Sequence, residues 1–218
     1  MSKMNITNDI VTEYIHNFYK PLSNELDDLR EQSENNNIPI ILKETENFLV
    51  NFLKIIKPKK ILEIGTAVGY SSIVFATAIP GVKITTIEKD EDLYTLARYN
   101  IERFALTGRI NLFSGDADDI IKTLNADYDF VFIDASKSHY RDFFKAAEKK
   151  CLTGAVIVSD NVLLKASTVD DSFDKGRRHR TNIKRMREFL NYLNEREDLS
   201  TALLSCGDGL AITKLNDE

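Results

Sequence analysis

Two acidic residues and an amide follow two of the strand-like runs in the sequence. Asp134 ends the run DYDFVFID, Asp160 ends the run GAVIVSD, and Asn161 comes directly after it. Because ligands of open α/β sheets collect at the carboxyl ends of the strands, these side chains are expected to lie together. Their oxygens suit a hard cation such as Mg²⁺, Ca²⁺ or Mn²⁺ and do not suit zinc. The alternative is that Asp160 or Asn161 caps a helix or a turn.

A second candidate site is the turn over residues 65–69, which we call the glycine loop. Gly65 and Gly69 are spaced G-x-x-x-G, so the sequence lacks the G-x-G-x-x-G loop of nicotinamide dehydrogenases. Glu88 ends the next run, KITTIE, and an acid there can accept both hydroxyls of a ribose. The third run, INLFSGD, leads into Asp116 and Ala117, where they can touch an adenine edge. The uncharged glycine loop suits a cofactor with an adenosine but no phosphates; the alternative is a tight strand-to-helix connection.

Residues 175–187, KGRRHRTNIKRMR, form a basic segment that contains seven Lys or Arg residues, one His and no acid. The formal net charge of the whole chain is −5, which argues against a protein that coats nucleic acid with its entire surface. A basic segment on an acidic protein indicates a docking surface for the phosphates of RNA or of a CoA thioester. The alternative is a solvated helix face whose cations pair with nearby glutamates.

The order of strand-like and helical runs predicts the fold that positions these residues. Five β-branched runs within residues 59–160 alternate with helical runs, which predicts an α/β fold with helices on both faces of a parallel sheet. A long helix over residues 181–195 should follow. Two last strands around residues 201–206 and 209–214 are joined by a Gly-Asp-Gly turn.

The first sixty residues favour helices. Apolar residues recur at helical spacing within residues 10–18, and a second, polar helix is predicted over residues 25–34. A third, amphipathic helix should end before Pro58. It places Phe48, Phe52 and Ile55 on one face, with Leu49, Leu53 and Ile56 beside them.

Composition bounds the class of protein. The chain has 218 residues, of which 43% are hydrophobic and 29% charged, and this supports one domain with a sizeable core. Its apolar stretches are far shorter than the ~18 residues of a membrane span. The N-terminal residues lack the apolar region of a signal peptide, so a cytoplasmic location is expected. Cys151 and Cys206 stand in unrelated contexts, which indicates two reduced thiols and argues against a zinc site or a disulfide framework.

Six motifs occur in an order and at spacings that are typical of one enzyme family. They are LEIGTAVGYSS, TTIEKD, SGDA, FIDASK, SDNV and GDGLAI. Together they resemble the cation-dependent class I O-methyltransferases of the catechol and caffeoyl-CoA type, and the similarity covers nearly the whole chain. Within that group, the IPI segment at residues 38–40 and the basic segment look most like the bacterial tRNA 5-hydroxyuridine methyltransferases.

The resemblance implies a Rossmann-like fold with a seven-stranded, mostly parallel sheet. Residues 58–218 would form the core and residues 1–57 a helical lid of the same single domain. The cofactor would be S-adenosylmethionine, the metal Mg²⁺ (or Ca²⁺ or Mn²⁺), and the assembly a homodimer. The cofactor would lie near Ile41, Glu63, Gly65, Gly69, Ser71, Glu88, Asp116, Ala117 and Asp134. The metal would be held by Asp134, Asp160 and Asn161.

The resemblance also implies an activity, which is methylation of the 5-hydroxyl of 5-hydroxyuridine at the wobble position of tRNA. The alternative is a small phenolic substrate of the catechol or caffeoyl-CoA type. Asp134 and Lys137 are the expected catalytic residues: Lys137 would remove a proton if it is neutral, or stabilise the oxyanion if it is charged. A non-catalytic binding module would have lost a metal ligand or Glu88, and the sequence retains both. The residues expected to hold the anticodon stem-loop are Arg177, Arg178, Arg180, Lys184, Arg185 and Arg187.

Overall fold

Seven strands form a single sheet. They are β1 (Lys60–Ile64), β2 (Lys83–Glu88), β3 (Ile110–Ser114), β4 (Tyr128–Ile133), β5 (Cys151–Ser159), β6 (Leu199–Leu204) and β7 (Leu210–Leu215). The computed structural model describes residues 9–125, 127–174 and 179–216. The strand order is β3-β2-β1-β4-β5-β7-β6. The first five strands pair in parallel, and β7 is antiparallel to both β5 and β6. The predicted fold class is confirmed, including the two final strands.

Eight α-helices surround this sheet in the described residues. They are α1 (Asp9–His16), α2 (Asn24–Asn35), α3 (Lys43–Ile56), α4 (Tyr70–Ala78), α5 (Glu91–Arg103), α6 (Ala117–Thr123), α7 (Tyr140–Glu148) and α8 (Arg180–Asn194). The predicted N-terminal helices and the predicted long helix near residues 181–195 are confirmed to within a few residues.

Helices cover both faces of the sheet because its central strands are apolar on both sides. In β4, residues 130–133 are all fully buried, as expected for a strand of a parallel sheet. One core contains Leu53 of α3 and Phe75 of α4, and the other contains Phe144 of α7 and Phe189 of α8. Each such side chain stabilises the fold by about 1.5–3 kcal/mol. The two cores hold the central strands, and therefore the strand ends, in fixed positions.

Of the two apolar rows predicted on α3, the one that contains Leu49 and Leu53 is more deeply buried. Leu49 and Leu53 are fully buried, whereas Ile55 is 77% exposed. Phe48 and Phe52 are half-buried and stack on each other with ring centroids 5.6 Å apart. Both rows satisfy helical spacing, and packing against α4 decides which of them faces the core.

The apolar residues of α1 produce a helix as predicted, but most of their surface stays exposed in this chain. Ile10 and Tyr14, together with Phe18 just after the helix, are each more than 60% exposed. Within the described ranges, no helix combines the length and the apolar character needed to cross a membrane.

Candidate active site

The carboxyl ends of the central strands lie side by side and bring the predicted site residues together. The Asp134 N–H donates to the Ile64 carbonyl (3.0 Å), and the Asp160 N–H donates to the Ile133 carbonyl (2.9 Å). Glu88 ends β2, which pairs with β1 on the side opposite β4. One edge of the sheet therefore carries the glycine loop, the acid of β2 and the proposed metal ligands.

The backbone at the end of the neighbouring strand β4 requires a glycine at position 65. Its φ is +95°, and a Cβ built on it would lie 2.1 Å from the carbonyl oxygen of Asp134. No side chain fits at that distance, so the glycine loop crosses the end of β4 only because residue 65 has no Cβ. The position of Asp134 thus depends on Gly65.

We expect Gly65→Ala to lower the free energy of unfolding by at least about 3 kcal/mol, because left-handed strain adds to overlap with an immobile backbone. Gly81→Ala is the matched control. Gly81 has a φ of +82°, but its added methyl group would meet no heavy atom within 4 Å, so about 1 kcal/mol is expected. Urea denaturation measures both losses. Equal losses would show that overlap with the Asp134 carbonyl contributes nothing to the loss of stability in Gly65→Ala.

The Glu88 carboxylate holds the glycine loop to the end of β2. Its Oε2 accepts hydrogen bonds from the N–H groups of Thr66 (3.2 Å) and Ala67 (2.8 Å), and its Oε1 accepts from those of Lys89 and Asp90 (both 2.9 Å). Four donors satisfy the carboxylate. Glu88 therefore sets the shape of the loop, and its predicted contact with ribose hydroxyls stays a prediction.

Glu63 lies beneath the glycine loop and is fully buried. Its carboxylate accepts hydrogen bonds from the hydroxyls of Ser71 (2.5 Å), Thr86 (2.6 Å) and Ser72. Burial raises the pKa of Glu63, and the three hydrogen bonds lower it. Burial has the larger effect, so the pKa is raised to about 7. The residue ties the start of α4 to β2.

The raised pKa of Glu63 predicts that stability falls as pH rises. Between its ordinary pKa of 4.5 and about 7, the folded chain keeps a proton that the unfolded chain has released, so the free energy of unfolding decreases through this window. From pH 5 to pH 8, we expect wild type to lose about 2.5 kcal/mol more than Glu63→Gln, which cannot titrate at this position. Urea unfolding at both pH values measures this difference, and parallel pH dependences would contradict it.

Asp116 and Ala117 lie next to Glu88 at the same edge. The Asp116 Oδ1 accepts from the Asp118 N–H (3.0 Å) and caps α6. Its Oδ2 lies 2.7 Å from the Lys89 Nζ. Ala117, the first residue of α6, is buried. Both residues are placed where an adenine contact was predicted, although Asp116 also has a capping role.

Lys137 joins the ends of β4 and β5. Its Nζ lies 2.8 Å from Asp134 Oδ1, 2.7 Å from Asn161 Oδ1 and 2.7 Å from the Tyr140 hydroxyl oxygen. Asp160 is buried beside this group, and its Oδ1 accepts from the Asn161 N–H at 2.6 Å. The structure therefore brings together all four residues that the sequence predicted for catalysis and metal binding.

The charges of this cluster favour a protonated lysine. Burial lowers the pKa of Lys137, but the Tyr140 oxygen and the charge of Asp134 raise it by more, so its pKa lies above the ordinary value. Burial, and next the charge of Asp134, raise the pKa of Asp160. A positive charge between the strand ends is therefore strongly stabilised at neutral pH.

The donor set fits a hard divalent cation. Asp134, Asp160 and Asn161 offer only oxygen atoms, and two of these residues already contact the positively charged Lys137. The negative charge of Asp134 helps to raise the pKa of the buried Asp160. A bound cation would offset this repulsion between the two carboxylates. Across residues 9–125, 127–174 and 179–216, no group of three or more His, Cys, Asp or Glu residues could hold a metal ion, so the set needs the amide of Asn161.

Comparison with known proteins identifies the family. The O-methyltransferase family model matches residues 16–215. The chain belongs to the O-methyltransferase family. A catechol O-methyltransferase from Niastella koreensis is 35% identical over 130 residues, which cover 57% of this chain and 59% of that protein. A caffeoyl-CoA O-methyltransferase from Populus kitakamiensis is 29% identical over 176 residues, 77% of this chain and 74% of that protein.

A solved structure agrees with this assignment. The O-methyltransferase from Bacillus cereus, in complex with SAH, is 26% identical to this chain and superposes with a TM-score of 0.83. The match covers 95% of this chain and 97% of that one. The fold of this O-methyltransferase is therefore that of an experimentally solved relative.

The O-methyltransferase buries several side chains that were predicted to contact a cofactor. Ile41 is 3% exposed and belongs to the same core as Val68 and Tyr70. Ser71 is 8% exposed, with its hydroxyl directed to Glu63. These residues lie around the glycine loop and support its shape, and their direct contact with a cofactor stays a prediction.

Two arginines of the basic segment make contacts within the O-methyltransferase. Arg185 donates to the Ser138 carbonyl (3.1 Å), in the 3-10 turn that carries Lys137. Arg187 donates to the Thr168 carbonyl (2.8 Å). Both arginines contact loops beside the strand ends, and the Arg185 side chain stays exposed.

The structure describes two of the four remaining residues that are predicted to bind RNA. Arg180 and Lys184 are exposed at the start of α8, and the Lys184 Nζ lies 3.8 Å from Glu188 Oε1. Arg177 and Arg178 lie outside the described residues.

Tyr140 is a residue of this site for which no sequence motif predicted a catalytic role. It is 1% exposed. Its hydroxyl accepts from Lys137 and donates to the Asp160 carbonyl (2.8 Å). The spacing of three residues from Lys137 at the start of a helix was the available signal.

Proposed function

We propose that this chain is an S-adenosylmethionine- and divalent-cation-dependent O-methyltransferase whose acceptor is a small molecule with two adjacent oxygens, such as a catechol or caffeoyl group. The observation that carries the proposal is the convergence of Asp134, Asn161 and the protonated Lys137 beside the glycine loop. The relatives named catechol and caffeoyl-CoA O-methyltransferases support this acceptor class over the tRNA acceptor expected first.

The glycine loop supports S-adenosylmethionine as the cofactor. Residues 65–69 carry no charged side chain, which suits a cofactor without phosphates. Glu88 is fixed at the end of β2, the usual position of a ribose-binding acid. The SAH bound to the Bacillus cereus relative supports the same class of cofactor.

The chain's own residues would act by holding and orienting the reactants. When bound, S-adenosylmethionine supplies an electrophilic methyl group, and a divalent cation lowers the pKa of the acceptor hydroxyl. Asp134, Asp160 and Asn161 would hold the cation. Because Tyr140 and Asp134 raise the pKa of Lys137, its ammonium is suited to stabilise a negatively charged acceptor oxygen. Tyr140 fixes the position of Lys137.

A tRNA acceptor is the second candidate, and one observation favours it. Arg180 and Lys184 are exposed at the start of α8, and α8 packs against the 3-10 turn that carries Lys137. Phosphates could therefore be held near the active site. The names of the similar proteins support the small-molecule acceptor over this candidate. The 5-hydroxyuridine specificity and the homodimer stay predictions.

The decisive experiment is methyl transfer from radiolabelled S-adenosylmethionine. Catechol, caffeoyl-CoA and tRNA that contains 5-hydroxyuridine are offered in parallel, each with Mg²⁺, with EDTA, and with EDTA followed by excess Mg²⁺. We expect label in a phenolic product, its loss with EDTA and its return with Mg²⁺.

Each other outcome has a distinct meaning. Label in tRNA alone would contradict the small-molecule acceptor, and a steep loss of that label with rising salt would then assign the basic segment to phosphate binding. Label that is insensitive to EDTA would contradict the metal. Absence of label from every acceptor, together with no binding of S-adenosylmethionine by calorimetry, would contradict the proposed function.

A further inference from the structure

A buried arginine outside the strand-end cluster joins the N-terminal helices to the start of α4. Arg30 of α2 is 1% exposed. Its guanidinium donates to acceptors in separate segments of the chain, so a single side chain fixes their relative positions. The acceptors are the Ile41 carbonyl (2.9 Å), Glu46 Oε2 (2.5 Å), Glu34 Oε1 (3.0 Å), and the hydroxyls of Tyr70 (3.1 Å) and Tyr19 (3.2 Å).

The partners of Arg30 also bind one another. Glu46 of α3 is 2% exposed, and Tyr70, the first residue of α4, is 1% exposed. The Tyr70 hydroxyl donates to Glu46 Oε2 (2.7 Å), and the Tyr19 hydroxyl donates to Glu46 Oε1 (3.0 Å). A buried ion pair is well stabilised only when further hydrogen bonds satisfy its atoms, and here they do. Such a cluster has one arrangement, because any displacement leaves a buried charge without a partner.

Two of these partners belong to segments that are predicted to contact the cofactor. Tyr70 is the first residue of α4 and directly follows Gly69, the residue with a positive φ that ends the glycine loop. Ile41 belongs to residues 36–42, the connection between α2 and α3. Through Tyr70 and the Ile41 carbonyl, Arg30 therefore connects this segment to the helix that the glycine loop begins.

We propose that Arg30 is a positioning residue for the cofactor: the Arg30–Glu46–Tyr70 cluster holds residues 36–42 against the glycine loop and so preorganises the S-adenosylmethionine site from a distance. This inference rests on the proposed function. A site whose segments are already ordered binds more tightly, because less conformational freedom is lost on binding. Arg30 itself is fully covered by protein and acts through Tyr70 and Ile41.

Calorimetric binding of S-adenosylmethionine tests the proposal. We expect Arg30→Met to raise its Kd at least 10-fold and to raise the KM for S-adenosylmethionine equally, while kcat at saturating cofactor changes less than 3-fold. Tyr70→Phe, which keeps the ion pair and removes one hydroxyl, should raise Kd by 3-fold or more. Amide hydrogen exchange in residues 36–42 should accelerate in Arg30→Met.

Arg196→Met is the matched control. Arg196 also binds several partners, among them Glu148 (3.1 Å), but it lies in the connection between α8 and β6, away from the glycine loop. We expect the Kd of the Arg196→Met variant for S-adenosylmethionine to stay within 2-fold of the wild-type value, even where the variant loses thermal stability. This control separates positioning of the cofactor site from general destabilisation.

Defined results would overturn the inference. A folded Arg30→Met variant with Kd within 2-fold of wild type contradicts it, and so does an equal rise of Kd in Arg196→Met. If Arg30→Met does not fold, an unchanged Kd in Tyr70→Phe overturns it. Wild-type protein that does not bind S-adenosylmethionine would instead contradict the proposed function, so the two failures are distinguishable.

Discussion

Replacement of Asp134 with asparagine is expected to reduce kcat/KM for methyl transfer by at least about 1,000-fold, equivalent to about 4 kcal/mol of transition-state stabilisation. Asparagine keeps the shape of the side chain but removes the charge that faces Lys137 at 2.8 Å. It also removes one of two carboxylates proposed to hold the cation, so Mn²⁺ binding should weaken strongly. Steady-state kinetics and the paramagnetic resonance signal of free Mn²⁺ measure both losses.

Asp119→Asn provides the control for the loss of one negative charge. Asp119 is exposed on α6 and pairs with Lys122 at 3.0 Å. Its replacement should leave both kinetics and Mn²⁺ binding unchanged within error. Full activity of Asp134→Asn in the presence of EDTA would remove Asp134 and the cation from the mechanism together.

Lys137→Met should separate turnover from metal binding. We expect kcat to fall by about 100- to 1,000-fold, because the charge that stabilises the acceptor oxygen is lost. Mn²⁺ binding should become about 10-fold tighter, since the ammonium no longer occupies oxygens of Asp134 and Asn161. The opposite signs distinguish this variant from Asp134→Asn in the same two measurements.

Lys122→Met is the control for Lys137→Met, because Lys122 is an exposed lysine outside the strand-end cluster. Kinetics and Mn²⁺ affinity should both match wild type. Turnover of Lys137→Met within 2-fold of wild type would show that the lysine only fills space between the strands. Weaker Mn²⁺ binding would show that Lys137 supports the cation site and does not compete for it.

The sheet and the strand-end acids could be predicted from sequence because their signals are local. β-branched runs such as those of β1 and β4 indicate buried strands wherever they occur. The parallel arrangement then dictates that Asp134 and Asp160 meet at one edge, and the structure places them there. Pattern and topology together were sufficient for these residues.

The contacts that define the site more finely depend on residues distant in the chain. Nothing near Arg30 indicates that its partners are Glu46 and Tyr70, because that choice is made by the packing of three helices. Gly65 looks the same in sequence whether it adjoins a ligand or, as here, the carbonyl of Asp134. Tertiary packing also decided which apolar row of α3 is buried.

The basic segment shows a related limit of composition. Its charge predicts a phosphate-binding surface, and this stays a prediction, but the charge did not indicate that Arg187 donates to the Thr168 carbonyl and Arg185 to the Ser138 carbonyl. Guanidinium groups serve as well for tying down loop carbonyls as for binding phosphates. Charge counts alone do not distinguish these uses.

The position of β7 has a consequence for how the protein forms during synthesis. β7 lies between β5 and β6 in the sheet but follows both in the chain. Until residues 210–215 leave the ribosome, the outer edge of β5 has no partner, and β6 cannot join the sheet. An unpaired strand edge is a template for association with other chains, and late long-range pairing prolongs that exposure. Nascent chains that stall before residue 210 should therefore be the species most prone to aggregate.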